Sequence, residues 1–251
     1  MSSRYLDKPS EWSRLIEFIY ADVGEYGTNP IGLDSEFTGV DFDDGNNCVG
    51  RSILDVWSIA VLNGKLHPRG YECATGYVLP ARALTAFKPL LEDENVTKAA
   101  HNSTVDIHTF YNSNVDVKGV VDTLHLCRFA YPGKFRYGLD ILSKEFLDES
   151  KFMSFDDLCS VPRIVTKQIQ VKRCSCGEDG CRKRKGHEKY FVTEDVDVES
   201  GTTTIPISDI GVDDSRWKDK VEYAGQDAVL ALELYDYTVR KLKRLKYENP
   251  F

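Results

Sequence analysis

Asp34 and Glu36 interrupt an otherwise apolar run, IGLDSEFTGV, at residues 31–40. Alternate residues of a strand share a face, so the two carboxylates are expected side by side. Adjacent like charges repel, and one is driven toward protonation unless a cation lies between them. Hard divalent cations such as Mg²⁺ take oxygen ligands of this kind. Alone, the Asp-x-Glu pattern equally describes an exposed strand end with two solvated acids. Two further acids extend it. Asp106, in AAHNSTVDIHTF, falls in the first turns of a helix after an apolar strand, four residues beyond Asn102. Asp227, in KVEYAGQDAVLALELY, stands four residues beyond Tyr223, and such pairs share a helix face. Each acid breaks an apolar segment, where an unpaired carboxylate is costly. Four acids converging from two strand positions and two helices suit a two-metal phosphodiester site. There one metal activates a water, and both stabilise the attacking and leaving oxygens.

The elements that must carry these residues are readable in outline. PSEWSRLIEFIYAD has Ser10 as its N-cap and Trp12, Leu15, Ile16 and Ile19 at helical spacing. A Gly/Asn/Pro turn at GEYGTNP leads into the strand of Asp34 and Glu36. SILDVWSIAVL reads as a second strand closed by a hairpin-like turn at NGK, and GYVLP as a third. ARALTAFKPLLEDE is an amphipathic helix, NVTKAAHN a buried strand and STVDIHTFYN a helix. GVVDTLHLCRFAY and PGKFRYGLDILSKEFL lead into further helices, and a long helix spans Trp217–Lys246. Residues 151–216 lose this regularity. Alternating strands and helices with an early antiparallel hairpin predict an α/β fold, a mixed central β-sheet flanked by helices.

The order Asp34-x-Glu36, Asn102-x3-Asp106, Tyr223-x3-Asp227 resembles the DEDD superfamily of 3′-to-5′ exonucleases in its tyrosine-containing branch. In particular it is similar to the proofreading exonuclease domain of family A DNA polymerases. ALTAFKPLLEDENVTKAAHNSTVDIHTFYN followed by VKGVVDTLHL, and later SFDDLCS, look like the corresponding stretches of that domain. The likeness is colinear over about residues 30–160 and 217–245. It implies a ribonuclease H-like fold, with residues 1–251 as one exonuclease domain carrying an irregular Cys-rich and basic insertion at 151–216. It implies Asp34, Glu36, Asp106 and Asp227 as ligands of two Mg²⁺ or Mn²⁺ ions, and Tyr223 as the group that orients the attacking water. A phenol with a pKa near ~10 is a poor base at neutral pH but a good hydrogen-bond partner for water. Glu36 would accept a second hydrogen bond from that water. Asn102 would hold the terminal nucleotide or shape its own motif, and Asp122 would support the site from behind.

Other residues near these motifs carry two readings each. Phe37, Phe42 and Tyr111 are base-stacking candidates or core aromatics, and His101 and His108 are phosphate contacts or structural imidazoles. His101, Ser103 and Asp106 lack the context of a hydrolase triad. Asp41, Asp43 and Asp44 do not follow the calcium-loop order. Within the insertion, Cys174, Cys176, Cys181 and His187 have the spacing C-x-C-x4-C-x5-H, which is either a structural zinc set or a basic loop with incidental cysteines. Residues 167–189 hold eight Lys/Arg against three Asp/Glu, which reads as a phosphate-binding arm or a solvated loop. Arg240, Lys241, Lys243, Arg244 and Lys246 end the last helix, where cations complement the helix dipole.

The 251-residue chain has a net charge of −8, which argues against passive coating of nucleic acid. Seven cysteines, four of them scattered, favour a reducing, intracellular and cytoplasmic setting. Neither a membrane-length apolar run nor an apolar signal core is present in the sequence. The resemblance, with no polymerase domain after the third motif, implies action on DNA 3′ ends, single-stranded or frayed, releasing nucleoside 5′-monophosphates in proofreading or repair. A separate DNA polymerase or replication protein would be the partner, in a virus or phage with a split replication apparatus. An RNase D-like RNA 3′-exonuclease and a non-catalytic nucleic-acid-binding module remain the alternatives.

Overall fold

The computed structural model describes residues 3–21, 23–24, 27–38, 52–174 and 189–244. The chain divides into two compact units, one of residues 1–158 with 206–251 and one of residues 159–205.

The larger unit is built on a six-stranded mixed sheet. Its strands are β1 (Arg4–Tyr5), β4 (Ile31–Thr38), β5 (Ile53–Leu66), β6 (Glu72–Pro80), β7 (Lys98–Ala100) and β8 (Val120–Asp122), in the spatial order β1-β6-β5-β4-β7-β8. β4, β5 and β6 pair antiparallel, while β1, β7 and β8 join their neighbours in parallel. A small hairpin of β2 (Val23–Gly24) and β3 (Gly27–Thr28) precedes β4. The helices are α1 (Pro9–Ala21), α2 (Leu84–Leu91), α3 (Thr104–Asn112), α4 (Thr123–Ala130), α5 (Leu139–Leu142), α6 (Phe155–Cys159) and α7 (Trp217–Arg244).

One core cluster joins Trp12, Leu15 and Ile19 of α1 to Ile31 and Leu33 of β4, around the fully buried Trp57. Phe87 and Phe110 meet the Trp57 ring edge-on at centroid distances of 5.1 and 6.0 Å. On β4 these apolar residues alternate with Gly32, Asp34 and Glu36, whose face turns toward α7. Gly32 is what lets the helix in: a Cβ there would stand 2.1 Å from the carbonyl oxygen of Ala228. That approach brings the neighbouring Asp227 to the strand of Asp34.

Three local expectations are corrected. α1 starts at Pro9, not after a Ser10 cap; proline suits the first helical position, and the Glu11 carboxylate accepts the Lys8 N–H at 3.1 Å. NGK does not turn the chain. Gly64 takes φ +78° within β5, its N–H bonds the Glu72 side chain at 2.7 Å, and the strand runs on to Leu66. Residues 151–216 are not irregular throughout. β9 (Ser160–Cys174) and β10 (Lys189–Thr204) form a long antiparallel ribbon, paired from Ser160↔Thr204 to Cys174↔Lys189. Val, Ile and Thr recur along both strands, and their β propensity outweighs the polarity that suggested a loop. Among the described residues, no helix is long and apolar enough to cross a membrane.

Candidate active site

β4 outruns its neighbour on one side. β7 pairs with Ile31 and Gly32 only, so beyond them the edge of β4 is open to α3, which follows β7. The Ser35 N–H, a donor without a strand partner there, goes to Asp106 Oδ1 at 3.1 Å, and Ser35 Oγ donates to the same oxygen at 2.6 Å. Asp106 is thereby tied to the residue between Asp34 and Glu36. On the opposite side, the pairing of β4 with β5 slips after Glu36, leaving Asp55 outside the register. Asp55 accepts from Lys220 Nζ at 2.6 Å, and the same ammonium donates to the carbonyls of Ile207 and Ile210 at 2.9 and 3.0 Å. These bonds fix the first turn of α7, one turn ahead of Tyr223.

The turn into α3 is held from behind. Asn102 sits at φ +56°, a left-handed conformation that asparagine tolerates better than most residues. It aims the N–H groups of Asn102 and Ser103 at the two Asp122 oxygens, at 3.0 and 2.9 Å. Asp122 also caps α4 through the Leu124 N–H at 2.9 Å. Burial works against its charge, but these N–H bonds hold its carboxyl below the usual range.

The other four acids show the reverse. Burial, then the charges of Asp106, Asp227 and Glu36, push Asp34 well above the usual carboxylate range. Burial, then Asp227 and Asp106, do the same to Glu36. Burial lifts Asp106 to about 6 in spite of the Ser35 bonds, and burial raises Asp227 against the pull of Lys151. The four are therefore near enough to repel one another, and Asp227 Oδ1 is left without a hydrogen-bond partner among the described residues.

Lys151 is the residue that motif spacing missed. Its Nζ donates to Asp227 Oδ2 at 2.6 Å and lies 5.4 Å from the Tyr223 ring centroid. Its charge also favours the ionised forms of Asp34 and Glu36. Gln226 positions it, accepting the Phe152 N–H at 2.6 Å and donating to the Ser150 carbonyl at 3.0 Å. Phe155 leans on Tyr223, with ring centroids 6.3 Å apart. The position of Lys151 just before SFDDLCS was the one available signal.

Asp34, Glu36, Asp106 and Asp227 thus come together, with Tyr223 one turn from Asp227. Phe37 lies on β4 just past the slip, half-buried. Asn102 is exposed at the mouth of the α3 turn. His101 is not free for a phosphate: one ring nitrogen bonds Thr123 Oγ1 at 2.8 Å and the other the Tyr137 carbonyl at 2.9 Å. Cys174 closes β9, while Cys176, Cys181, His187 and Phe42 lie outside the described residues.

The donor set fits a hard divalent cation: all four acids offer carboxylate oxygens, and buried Asp227 Oδ1 has no hydrogen-bond partner among the described residues. As the side chains stand, no three His, Cys, Asp or Glu of the described residues close around a single metal position. The acids are gathered without being drawn to one centre.

A mixed six-stranded sheet flanked by helices, with a long helix over its central strand, is the ribonuclease H-like architecture. The 3′-5′ exonuclease family profile matches residues 4–173, and the chain belongs to that family. The matched segment ends in β9, so the fold alone brings Tyr223 and Asp227 of α7 to the matched acids. No curated protein sequence matches the chain. Among solved structures it is similar to NrnC of Brucella melitensis, at 16% identity and a TM-score of 0.54, over 98% of this chain and 84% of that one. A structure described as the apo form of a nuclease matches at 15% identity and a TM-score of 0.52, over the same shares. Pol1 of M. smegmatis, solved with DNA primer-template and dNTP, matches at 15% identity and a TM-score of 0.50, over 97% of this chain and 28% of that one. At these identities the likeness is one of fold.

Proposed function

We propose that this chain is a divalent-metal-dependent 3′-to-5′ exonuclease that removes nucleoside 5′-monophosphates from DNA 3′ ends, as a proofreading or repair nuclease working beside a separate polymerase. The observation that carries the reading is the convergence of Asp34, Glu36, Asp106 and Asp227 from three elements, with Tyr223 on the same helix face as Asp227. These acids would hold Mg²⁺ or Mn²⁺, which supplies positive charge to the attacking and leaving oxygens of phosphodiester hydrolysis. Tyr223 donates its phenolic hydrogen bond to the attacking water, and Glu36 accepts from it. Ser35 keeps Asp106 facing the strand. Lys151 holds Asp227 in place. Asn102, exposed at the turn into α3, would contact the terminal nucleotide. The choice of DNA follows the likeness to polymerase proofreading domains.

The test uses a 5′-labelled DNA strand and its RNA twin, with Mg²⁺ or Mn²⁺, with EDTA, and with Asp34→Ala. Stepwise, metal-dependent shortening of DNA that disappears in the variant is expected. Shortening of RNA alone would move the chain to the RNA-processing branch. Strand binding without any shortening would sink the catalytic reading.

A further inference from the structure

The far end of α7 carries charge that the acid site does not use. Arg240, Lys241 and Arg244 line a cleft of about 230 Å³ together with Arg69, Gly70 and Tyr237. Four cations in one cleft stand out on a chain of net charge −8. Two of them are balanced: Arg69 pairs with Asp148 at 3.3 Å, and Arg240 with Asp236 at 2.6 Å and Glu72 at 3.6 Å. Lys241 and Arg244 have no acid partner among the described residues. Lys241 Nζ instead lies 4.0 Å from the Tyr131 ring centroid. The helix dipole accounts for cations in the last turn of α7, but not for Arg69, which reaches the cleft from the β5–β6 turn.

A surface connects this cleft to the acids. Tyr131 opens the loop between α4 and α5, and Tyr137 lies at the other end of it. The Tyr137 hydroxyl donates to the Tyr131 carbonyl at 2.8 Å, and the Tyr137 carbonyl bonds His101, next to Asn102, at 2.9 Å. Between them Phe135 is wholly exposed, at 103% relative accessibility, and Phe129 at the end of α4 is 58% exposed. A large apolar ring held in water by a loop tied at both ends is a stacking surface without a protein partner. About 21 Å of helix separates Asp227 from Lys241 at ~1.5 Å rise per residue, a span of several nucleotides.

We propose that this surface is a track for single-stranded nucleic acid. With the 3′ terminus at the acids, the upstream strand crosses the 131–137 loop, stacks a base on Phe135 and lays its phosphates on Lys241 and Arg244. Exposed aromatics interleaved with cations are what sequence-independent single-strand binding uses. The direction of the strand rests on the exonuclease reading; the binding itself does not.

Binding is measured on the full chain by fluorescence anisotropy, with a labelled single-stranded dodecamer and a dinucleotide, in EDTA so that cleavage plays no part. Lys241→Gln with Arg244→Gln is expected to weaken dodecamer binding about tenfold. It should also flatten the log-log salt dependence by about 1.4, at ~0.7 per phosphate contact. Phe135→Ala, a change on an exposed ring, is expected to cost about five- to tenfold. A charge-matched control, Lys8→Gln with Lys65→Gln, binds as the parent does. The wild type gains affinity from dinucleotide to dodecamer, and the cation pair variant loses most of that gain. Wild-type affinity and salt slope in the cation pair variant, or no dodecamer binding by the wild type, would overturn the track. A separate arm with Mn²⁺ reads cleavage by the wild type, so a failed track and a failed exonuclease reading give different results.

Discussion

Asp106 and Asp122 stand at either side of the same turn; burial pushes both carboxyls up, yet they end on opposite sides of the usual range. Asp122 receives N–H groups from Asn102, Ser103 and Leu124, and its carboxyl stays below the usual range. Asp106 receives two bonds from Ser35 but faces other acids, and it is lifted to about 6. Asp34 and Glu36 are raised as well, again by burial first and then by neighbouring charge. A buried carboxylate that supports structure is surrounded by donors. The acids gathered around Asp34 face one another's charge as well, at a cost in stability that a cation can offset.

Asp34→Asn gives this contrast its hardest test. Loss of one of four converging carboxylates should lower exonuclease activity about a thousandfold, or ~4 kcal/mol. Stability should move the other way. A folded pKa raised above the unfolded value means that stability is present at low pH and is lost as pH rises through the folded pKa. Metal-free Asp34→Asn should therefore melt above the wild type at pH 8, with the difference shrinking toward pH 4. Added Mn²⁺ should raise the wild-type melting temperature more than that of the variant. A variant that melts lower at pH 8 would mean that Asp34 is a structural acid like Asp122.

Asp122→Ala probes the other side. It strands two N–H groups of the α3 turn and removes the α4 cap. Charge-assisted bonds and a cap together put the loss at about 3 kcal/mol. The folded pKa of Asp122 is depressed, so its contribution is present above the unfolded value near 3.8 and is lost as pH falls through the folded pKa. Urea unfolding at pH 7 and pH 3 should show a variant deficit at pH 7 that narrows at pH 3.

Glu233 sharpens the contrast from outside the site. It is 1% exposed, its Oε1 accepts the Ala74 N–H at 2.8 Å, and its Oε2 has no hydrogen-bond partner among the described residues. Burial raises its carboxyl to about 7, with the Ala74 bond opposing and Glu149 adding to the rise. The folded pKa is again the higher one, so stability is lost between about pH 4.5 and 7 as pH rises. Glu233→Gln keeps the acceptor without the charge. It should add up to about 3 kcal/mol at pH 8, at ~1.36 kcal/mol per pKa unit, and nothing at pH 4. Equal stabilities in urea at both pH values would show that this carboxyl is not held above its ordinary range.

The two kinds of acid are partly separable in the sequence. The i, i+2 spacing of Asp34 and Glu36 and the i, i+4 spacing of Tyr223 and Asp227 are local rules, and the structure puts each pair on one face. The conformation of Asn102 and the N–H groups it aims at Asp122 depend on a turn that no periodicity describes. Gly32 is one glycine among eighteen in the chain, and only the packing of α7 shows why no side chain fits there. The β9–β10 ribbon was hidden by the overall polarity of its segment, although Val and Ile alternate there with polar residues as a strand requires. Lys151 and Gln226 were illegible because their bonds join segments far apart in sequence.

Lys151 is the smallest of these effects and the most specific. Its ammonium donates to Asp227 at 2.6 Å, and it borders the Tyr223 ring. Lys151→Met keeps most of the aliphatic stem and removes the charge. Asp227 then loses its one charge-assisted bond, and its carboxyl should titrate higher still, because Lys151 is what opposes the rise. At saturating Mn²⁺ the metal takes over much of that electrostatic task, so activity should fall only about tenfold, or ~1.4 kcal/mol. At pH 6 the fall should be larger than at pH 8, since a higher pKa leaves less of the ionised form. Lys151→Arg should recover part of the loss, as a charged replacement can still meet a carboxylate. A fall of equal size at both pH values, unrelieved by Arg, would mean that Lys151 acts on the substrate and not through Asp227.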